Sequence, residues 1–246
     1  MRIAIIGYGK MGHVIEEISF NRGHSIVCII DPTAMAAEVS AISGAPIYTP
    51  ERGFESALFA TVEVAIEFST PATAEQNIAN CFAKGVRVVS GTTGWDHVAA
   101  KSLYTQDEWG WIWSSNYSLG VNILFALNKR LAQILSNQAQ DSSTPLPYSP
   151  SISETHHIHK LDKPSGTAKT LAEGIEAYGF TNIPIESIRE GEVAGIHTIK
   201  WESAEDIICL SHDAKNRRGF ALGAVIAAEW LNGKNGFHTM QEVLGV

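Results

Sequence analysis

The sequence contains few cysteines and no long hydrophobic run. Its 246 residues include three cysteines, Cys28, Cys81 and Cys209, which lie far apart and lack C-x-x-C spacing. An odd, scattered set of this kind predicts reduced thiols and a cytoplasmic location, and it argues against a disulfide framework. No apolar stretch approaches the ~20 residues of a membrane-spanning helix, so we expect no transmembrane segment. The first residues enter a strand pattern directly, which argues against a signal peptide.

Positive charge is also scarce. Lysine and arginine number 18 against 26 aspartates and glutamates, so the formal net charge is −8 at pH 7. This balance argues against nucleic acid or an anionic membrane surface as a partner. It leaves an anionic small molecule open, because a local cluster of donors is enough to bind one. No internal repeat is visible, and the length allows one large domain or two modest ones.

A glycine-rich turn follows the first apolar run of the chain. Residues 2–7 have the composition of a strand buried on both faces, and Gly7-Tyr-Gly9-Lys-Met-Gly12 leads from it into a helical pattern. A second buried strand is expected over residues 25–30, with Asp31 at its carboxyl end. Strand, G-x-G-x-x-G, helix, strand and acid in this order are typical of a dinucleotide-binding domain. Gly7 permits the tight turn, Gly9 lets backbone amides approach a pyrophosphate, and Gly12 lets the helix pack closely.

Asp31 also bears on the choice of cofactor. It is placed to accept hydrogen bonds from an adenosine ribose, and its charge would repel a ribose 2′-phosphate. Pro32 follows, where an NADP-binding protein often has arginine. We therefore predict NADH as the preferred cofactor, and Lys10 leaves use of NADPH open. The alternative to dinucleotide binding is that Gly7–Gly12 form a glycine-rich turn in an α/β domain that binds no ligand.

Further strands are expected at residues 62–68, 86–90 and 109–113. In an open parallel sheet, ligands lie beyond the carboxyl ends of the strands. Phe68–Thr70 and Gly91–Thr93, which end the first two of these strands, are therefore predicted to line the nicotinamide side of the cleft. We expect the tryptophans of the third strand to belong to the core.

The second half of the chain predicts a mixed α and β region. We expect a helix, an exposed connection with three prolines, a short strand, a second helix, three strands, a last helix and a tail. In that order the expected segments are residues 120–135, 137–150, 151–155, 168–178, 183–190, 195–202, 206–212, 222–231 and 233–246.

The most polar stretch of the chain is Glu154-Thr-His-His-Ile-His-Lys-Leu-Asp-Lys-Pro-Ser-Gly-Thr167. Three interpretations compete for its histidines: a metal site, solvated loop residues, or general acid catalysis with carboxylate binding. Adjacent histidines of an extended chain point to opposite faces, and neither a cysteine nor a third acidic ligand accompanies them, so we predict no metal. Hydride transfer leaves electron density that must be protonated, and histidine titrates in the right range. The glycine turn upstream favours this third interpretation.

Glu154-x-His-His-x-x-Lys160-x-Asp-x-Pro-Ser-Gly-Thr167 resembles the signature of the 4-hydroxy-tetrahydrodipicolinate (dihydrodipicolinate) reductase family. The resemblance extends to Gly7–Gly12, Phe68-Ser-Thr-Pro71, Gly91-Thr-Thr-Gly94, Asn116-Tyr-Ser-x-Gly-Val-Asn122, Arg189-x-Gly191, Gly195-x-His197 and Arg217-x-x-Phe220-Ala-x-Gly-Ala224. It implies an α/β fold with a Rossmann-type parallel sheet in a dinucleotide-binding domain, residues 1–119 plus 218–246. It also implies an inserted α+β domain, residues 120–217, that binds substrate and builds a homotetramer through its sheet.

The resemblance further implies the reduction of a cyclic imine dicarboxylate by NADH or NADPH. His156 matches the family's proton donor and acceptor, and Lys160 matches a lysine that donates a proton or binds a carboxylate. The implied substrate contacts are His157, Ser165, Gly166 and Thr167. The implied cofactor contacts are Gly7, Tyr8, Gly9, Lys10, Met11, Gly12, Asp31, Gly91, Thr92, Thr93, Ser114, Ser115, Asn116 and Tyr117, beside Phe68.

Two alternatives accompany this resemblance, and the sequence departs from the family pattern at Lys163. Another Rossmann dehydrogenase acting on an amino or keto acid is the nearest alternative enzyme, and a dinucleotide sensor without catalysis is an alternative of another class. The combination of His156, His157 and Lys160 with the Ser-Gly-Thr turn argues against both. Lys163 stands where the family commonly has a small residue, and we expect its side chain to be solvated.

Overall fold

A computed structural model of the chain describes residues 1–103, 109–137 and 148–246. Most of the predicted connection at 137–150 lies outside these ranges. The chain forms two compact units. Unit 1 comprises Met1–Ser118 and Arg218–Gly245, and unit 2 comprises Leu119–Arg217, to which the last residue, Val246, is also assigned. No helix in the described ranges has the length and apolar character needed to cross a bilayer.

Unit 1 contains a sheet of seven strands whose pairings are all parallel. Its strands are β1 (Arg2–Ile6), β2 (Ser25–Ile30), β3 (Ile47–Tyr48), β4 (Val64–Glu67), β5 (Arg87–Ser90), β6 (Gly110–Trp113) and β11 (Gly236–His238). Their spatial order is β11-β6-β5-β4-β1-β2-β3. Every residue of β4 is buried, as expected for a parallel strand covered on both faces. The predicted Rossmann-type sheet is confirmed.

The described residues of unit 1 form six α-helices. They are α1 (Lys10–Asn21), α2 (Pro50–Gly53), α3 (Ala74–Ala83), α4 (His97–Leu103), α7 (Arg218–Leu231) and α8 (Met240–Leu244), with a 3₁₀ helix at Phe59–Thr61. The helix α1 buries Gly12, Ile15 and Ile18, which recur at the spacing of one helical face. Trp111 is buried in the core of this unit and Trp109 and Trp113 pack against it, so the tryptophans are core residues as predicted.

Several short elements of unit 1 differ from the prediction. The predicted tail at 233–246 contains β11, which extends the sheet, and α8. The helix α8 begins with a capping box between Thr239 and Glu242, a pattern readable as T-x-x-E. The predicted helix at 222–231 begins earlier, at Arg218. The elements β3, α2 and α4 were not predicted, because segments of this length carry too few residues for a periodic pattern.

The described part of unit 2 forms a sheet of four strands with helices on one face. Its elements are α5 (Leu119–Asn137), β7 (Ser149–His156), α6 (Gly166–Glu176), β8 (Ile185–Arg189), β9 (Ile196–Glu202) and β10 (Ile207–Asp213). The spatial order is β10-β9-β7-β8, with β7 antiparallel to β9 and parallel to β8. Alternate residues of β9, namely His197, Ile199 and Trp201, are buried. The strand β7 is longer than the predicted 151–155 and includes His156.

Candidate active site

The glycine turn of unit 1 combines tight packing with one open position. Gly7 has φ +88°, and a Cβ there would lie 2.1 Å from the carbonyl oxygen of Phe68. A Cβ on Gly12 would lie 2.3 Å from the carbonyl oxygen of Gly7, whereas a Cβ on Gly9 would meet nothing within 4 Å. The first and third glycines therefore serve packing. The second leaves space for a ligand beside the N-terminus of α1, as a bound pyrophosphate requires.

Asp31 is held in place at the carboxyl end of β2. Its Oδ2 accepts a hydrogen bond from the Tyr8 amide at 2.7 Å, and its Oδ1 accepts two from Thr33, at 2.9 Å from the amide and 2.6 Å from the hydroxyl. Burial disfavours ionisation of the carboxyl, but the hydrogen bonds from Thr33 and Tyr8 outweigh it and lower the pKa of Asp31. A fixed negative charge therefore lies next to the glycine turn.

The side chain of Tyr8 is turned toward other partners. Its ring stacks on His13, with centroids 3.8 Å apart, and its hydroxyl donates to the buried carboxylate of Glu16. Glu16 also accepts a hydrogen bond of 2.5 Å from Ser43. Burial and the hydrogen bond to Glu16 raise the pKa of Tyr8 to about 12, so the phenol stays neutral. Tyr8 reaches Asp31 through its backbone amide alone.

A cavity of about 270 Å³ lies against the glycine turn. It is lined by Ile6, Gly7, Gly9, Ile30, Asp31, Pro32, Pro50, Phe68, Ser69, Thr70, Thr73 and Asn77. Four of the predicted cofactor residues, Gly7, Gly9, Asp31 and Phe68, thus share one cavity. The side chain of Lys10 is exposed and that of Met11 half-buried, and neither lines it. Sequence reasoning missed Pro50, Thr73 and Asn77, since no local motif marks them.

The ends of β4 and β5 are joined by a buried carboxylate. Glu67 is fully buried, and its Oε1 accepts hydrogen bonds from the Ser69 amide at 2.9 Å and the Thr92 hydroxyl at 2.7 Å. Its Oε2 accepts one from the Ser90 hydroxyl at 2.6 Å, and the Ser69 hydroxyl also donates to Glu67. The carboxylate therefore fixes Phe68–Thr70 relative to Gly91–Thr93. The sequence signal that could have revealed this role of Glu67 is a single acid at the end of an apolar strand.

The predicted contacts after β5 and β6 take different roles. A Cβ on Gly91 would lie 2.2 Å from the Phe68 ring, so this glycine admits the ring. Thr93 and Ser115 are exposed, whereas Thr92 is buried. The hydroxyl of Ser114 donates to the carbonyl oxygen of Asn116 at 2.8 Å and accepts from the Asn116 amide at 3.2 Å, which closes a tight turn.

Tyr117 is buried within unit 1. Its hydroxyl donates to the carbonyl oxygens of Ser90 at 2.8 Å and Ile112 at 3.0 Å. Burial, with a smaller contribution from the charge of Glu67, raises its pKa well above the ordinary value. The phenol of this predicted cofactor residue therefore connects strands β5 and β6.

A second buried carboxylate organises the polar stretch of unit 2. Glu154 lies in β7 and pairs with Ser187 on β8 and His197 on β9. Its Oε1 accepts hydrogen bonds from the Ser165 amide at 3.0 Å, the Ser187 hydroxyl at 2.8 Å and Arg189 Nη2 at 3.3 Å. Its Oε2 lies 3.5 Å from His156 Nδ1 and 3.7 Å from His197 Nε2.

This environment sets the charges of the cluster. Burial lowers the pKa of His156, although the neighbouring Glu154 opposes the shift. Burial, and then the proximity of His156, lowers the pKa of His197 to about 4. Burial opposes ionisation of Glu154, but hydrogen bonds from Ser165 and Ser187 outweigh it and lower its pKa. Near neutral pH the cluster therefore consists of an ionised Glu154 beside a neutral His197.

The same three side chains have the composition of a cation site. Ligand atoms of Glu154, His156 and His197 all lie within 4.8 Å of one another. The two other histidines of the stretch, His157 and His159, have rings 6.1 Å apart, and His159 is exposed. However, the guanidinium of Arg189 already contacts the Glu154 carboxylate, and a second cation beside it would be repelled. The cluster fits a carboxylate balanced by arginine better than a metal ion.

Three further residues of the stretch lie nearer the surface. Lys160 is about three-quarters buried, and its Nζ lies 2.8 Å from Asp162 Oδ1. His157 is half-buried. Lys163 is exposed, as predicted for a solvated side chain. Arg189 donates to the carbonyl oxygens of Lys160 and Asp162, so it holds the loop as well as the carboxylate.

The start of α6 adjoins this cluster. Ser165 is the N-cap residue, and its hydroxyl accepts a hydrogen bond from the Ala168 amide at 3.2 Å. The same hydroxyl lies 3.3 Å from His197 Nε2. Gly166 and Thr167 form the first turn, where a helix presents amide donors and the positive end of its dipole. A carboxylate ligand suits this position.

Two family models match the chain. Dihydrodipicolinate reductase, N-terminus, matches residues 1–117, and Dihydrodipicolinate reductase, C-terminus, matches residues 120–244. A 4-hydroxy-tetrahydrodipicolinate reductase of Christiangramia forsetii is 42% identical over 99% of this chain and 98% of its own length. One of Archaeoglobus fulgidus is 34% identical over 99% of this chain and 100% of its own.

Solved structures are similar in fold. A dipicolinate-bound dihydrodipicolinate reductase from Paenisporosarcina sp. TG-14 superposes with a TM-score of 0.80 at 22% identity, covering 98% of each chain. An amine dehydrogenase from Mycobacterium smegmatis gives a TM-score of 0.64 at 10% identity, covering 98% of this chain and 95% of that one. At these identities the similarity establishes the fold alone.

Proposed function

Since the chain belongs to the dihydrodipicolinate reductase family, we propose that His156 supplies the proton in its reaction and that NADH is its preferred hydride donor. The family makes the chain an NAD(P)H-dependent oxidoreductase that reduces 4-hydroxy-tetrahydrodipicolinate to tetrahydrodipicolinate in lysine and diaminopimelate biosynthesis. The observation that carries the assignment of roles is the buried cluster of Glu154 and His156 beside the start of α6.

The residues of unit 1 suit a nicotinamide dinucleotide. The open space at Gly9 and the N-terminus of α1 would hold the pyrophosphate, and Asp31 would accept hydrogen bonds from the adenosine ribose. The ionised Asp31 favours NADH, because it would repel a 2′-phosphate. When bound, the cofactor supplies a hydride. Phe68–Thr70 border the same cavity and would place the nicotinamide end.

The residues of unit 2 suit a dicarboxylate. The amides of Gly166 and Thr167 would hold one substrate carboxylate at the start of α6, and Lys160 would pair with carboxylate charge and His157 contact the ring. A dianion next to His156 would favour its protonated form and so offset the burial that lowers its pKa. The imidazolium would then protonate the carbon or nitrogen that becomes electron-rich on hydride transfer.

His156→Ala tests this assignment. We expect kcat to fall about 100-fold or more, because a positioned general acid contributes at that level. The assay follows NADH oxidation with the freshly prepared condensation product of pyruvate and aspartate semialdehyde. The dissociation constant for NADH, measured by fluorescence, should be unchanged, since His156 and the glycine turn belong to different units. Wild-type turnover in this variant would refute the acid role.

A cytoplasmic homotetramer completes the proposal. No helix among the described residues covers one face of the unit 2 sheet, where Ile207 is 52% exposed and Ile188 39% exposed. Exposed isoleucines on an uncovered sheet face are suited to pairing with a second copy. Cys28 and Cys81 are buried and unpaired, as in a protein that functions in a reducing compartment.

A further inference from the structure

We propose that Glu154 is a positioning residue of the reductase, which orients His156 and the start of α6 together and whose charge keeps His156 able to carry a proton. The inference rests on the proposed role of His156 as the acid. Glu154 itself need not touch the substrate, because it would act through the two groups that do.

The register of the sheet gives Glu154 this central place. Glu154 and His156 are two residues apart on β7 and therefore project from the same face. On that face Glu154 lies between Ser187 of β8 and His197 of β9, while His156 pairs with Arg189. All of these strands also carry apolar residues of the core on this face, including Ile152 and Ile199.

The two oxygens of Glu154 share the Ser165 amide, at 3.0 Å and 3.2 Å, and otherwise have different neighbours. Oε1 accepts from the Ser165 amide and from Ser187, so it anchors the residue that caps α6. Oε2 faces the two histidines, at 3.5 Å from His156 Nδ1. When His156 is charged, its Nδ1–H would donate to Glu154 Oε2. The other ring nitrogen, Nε2, would then be the atom that delivers the proton.

Charges of both signs act on His156. Lys160 and Arg189 disfavour a positive imidazole, whereas Glu154, whose effect is the largest of the four, and Asp162 favour it. The neighbouring ring of His197 stands at 73° to that of His156, with centroids 5.0 Å apart, and adds no negative charge. Glu154 is thus the dominant counter-charge, and burial makes its effect stronger than at a surface.

Glu154→Gln separates the charge from the shape of the side chain. Glutamine keeps an oxygen for Ser165 and Ser187 but carries no charge. We expect kcat to fall 10- to 100-fold. Turnover should decline with rising pH when the His156 imidazolium loses its proton. In E154Q this decline should occur at a lower pH, because the imidazole binds its proton less tightly without the neighbouring negative charge. The dissociation constant for NADH should stay at the wild-type value. Glu176→Gln, at an exposed position of α6, is the matched control and should match wild type.

An NMR titration of the His156 imidazole gives a readout independent of turnover. A lower titration midpoint in E154Q than in wild type supports the inference. Wild-type kcat, an unmoved pH profile and an unmoved His156 midpoint in E154Q would overturn it. A wild-type enzyme that fails to turn over the substrate would instead refute the proposed function, and the titration would still report on Glu154.

Glu154→Asp provides the second variant if E154Q does not fold. Aspartate retains the charge but shortens the side chain, which moves the carboxylate away from Ser165 and His156. We expect kcat to be reduced. The pH profile of E154D should be closer to that of wild type than to that of E154Q. Wild-type kcat in E154D would overturn the positioning role, because the position of the carboxylate would then not matter.

Discussion

At the scale of single residues, the candidate site residues include carboxylates that hydrogen bonds hold in a fixed position. Asp31 has three donors, from Tyr8 and Thr33, and it cannot turn away from the glycine turn without losing them. Glu154 is similarly enclosed. Because such groups are fixed before a ligand arrives, their charge can select a ligand at little cost in conformational entropy.

Asp31→Ser is expected to change the choice of cofactor. Removing the carboxylate abolishes the repulsion of a 2′-phosphate and weakens the hydrogen bonding of the ribose, so kcat/KM for NADPH relative to NADH should rise about 10-fold or more. Initial rates with both cofactors under saturating substrate measure the ratio. Asp213→Ser, at an exposed position of β10, is the control. An unchanged ratio in D31S would show that Asp31 does not face the ribose.

At the scale of elements, the loops of the candidate site are defined by contacts between neighbouring strand ends. The sheet places the ends of β4 and β5 side by side, and Glu67 bonds to both. Gly7 and Gly91 then allow the Phe68 segment to pack without clashes. A side chain in one strand thus fixes the backbone of the next, which no local pattern reveals.

Glu67→Ala should destabilise unit 1. The substitution leaves the buried hydroxyls of Ser90 and Thr92 without their acceptor, and we expect a loss of about 3 kcal/mol in the free energy of unfolding. Urea denaturation followed by circular dichroism measures it, and the dissociation constant for NADH should rise in parallel. Glu55→Ala removes an exposed carboxylate that pairs with Lys84 and should change stability little. Equal stability losses in the two variants would contradict the role of Glu67.

At the scale of the whole molecule, the two units divide the tasks. Unit 1 contains the glycine turn and its cavity, and unit 2 contains the histidine cluster and the open sheet face. On β10, Ile208 and Leu210 face the helices, whereas Ile207 and Cys209 alternate with them on the open face. This alternation gives the sheet one core face and one open face, on which the proposed tetramer would form.

Ile207→Lys should weaken the proposed tetramer. A charge on the open face of the sheet would have to be buried in the interface, so the particle mass should fall below the tetramer value, four times the chain mass of 26.6 kDa. Light scattering after size exclusion measures the mass. Ile123→Lys, on an exposed part of α5, is the control and should leave it unchanged. A monomeric wild type would refute the tetramer.

The sequence alone determined the order of the longer elements and most of the candidate residues. Strands β1, β2, β4 and β5 and helices α1 and α6 are readable from apolar runs, caps and glycine turns, because these signals are local. The family signature pointed to His156 and Lys160 in the same way. What a local pattern could not show was the pairing of residues distant along the chain.

Only the tertiary structure decided which buried groups meet. It places His197 and Arg189 around Glu154, 43 and 35 positions away in the chain, because strand register brings them to one face. It also adds β11 to the far edge of the sheet, where three residues suffice once β6 offers its backbone. Strand register and the pairing of an edge strand depend on residues that are distant in sequence. The hydrogen bonds and side-chain contacts that stabilise them form only when the chain is folded.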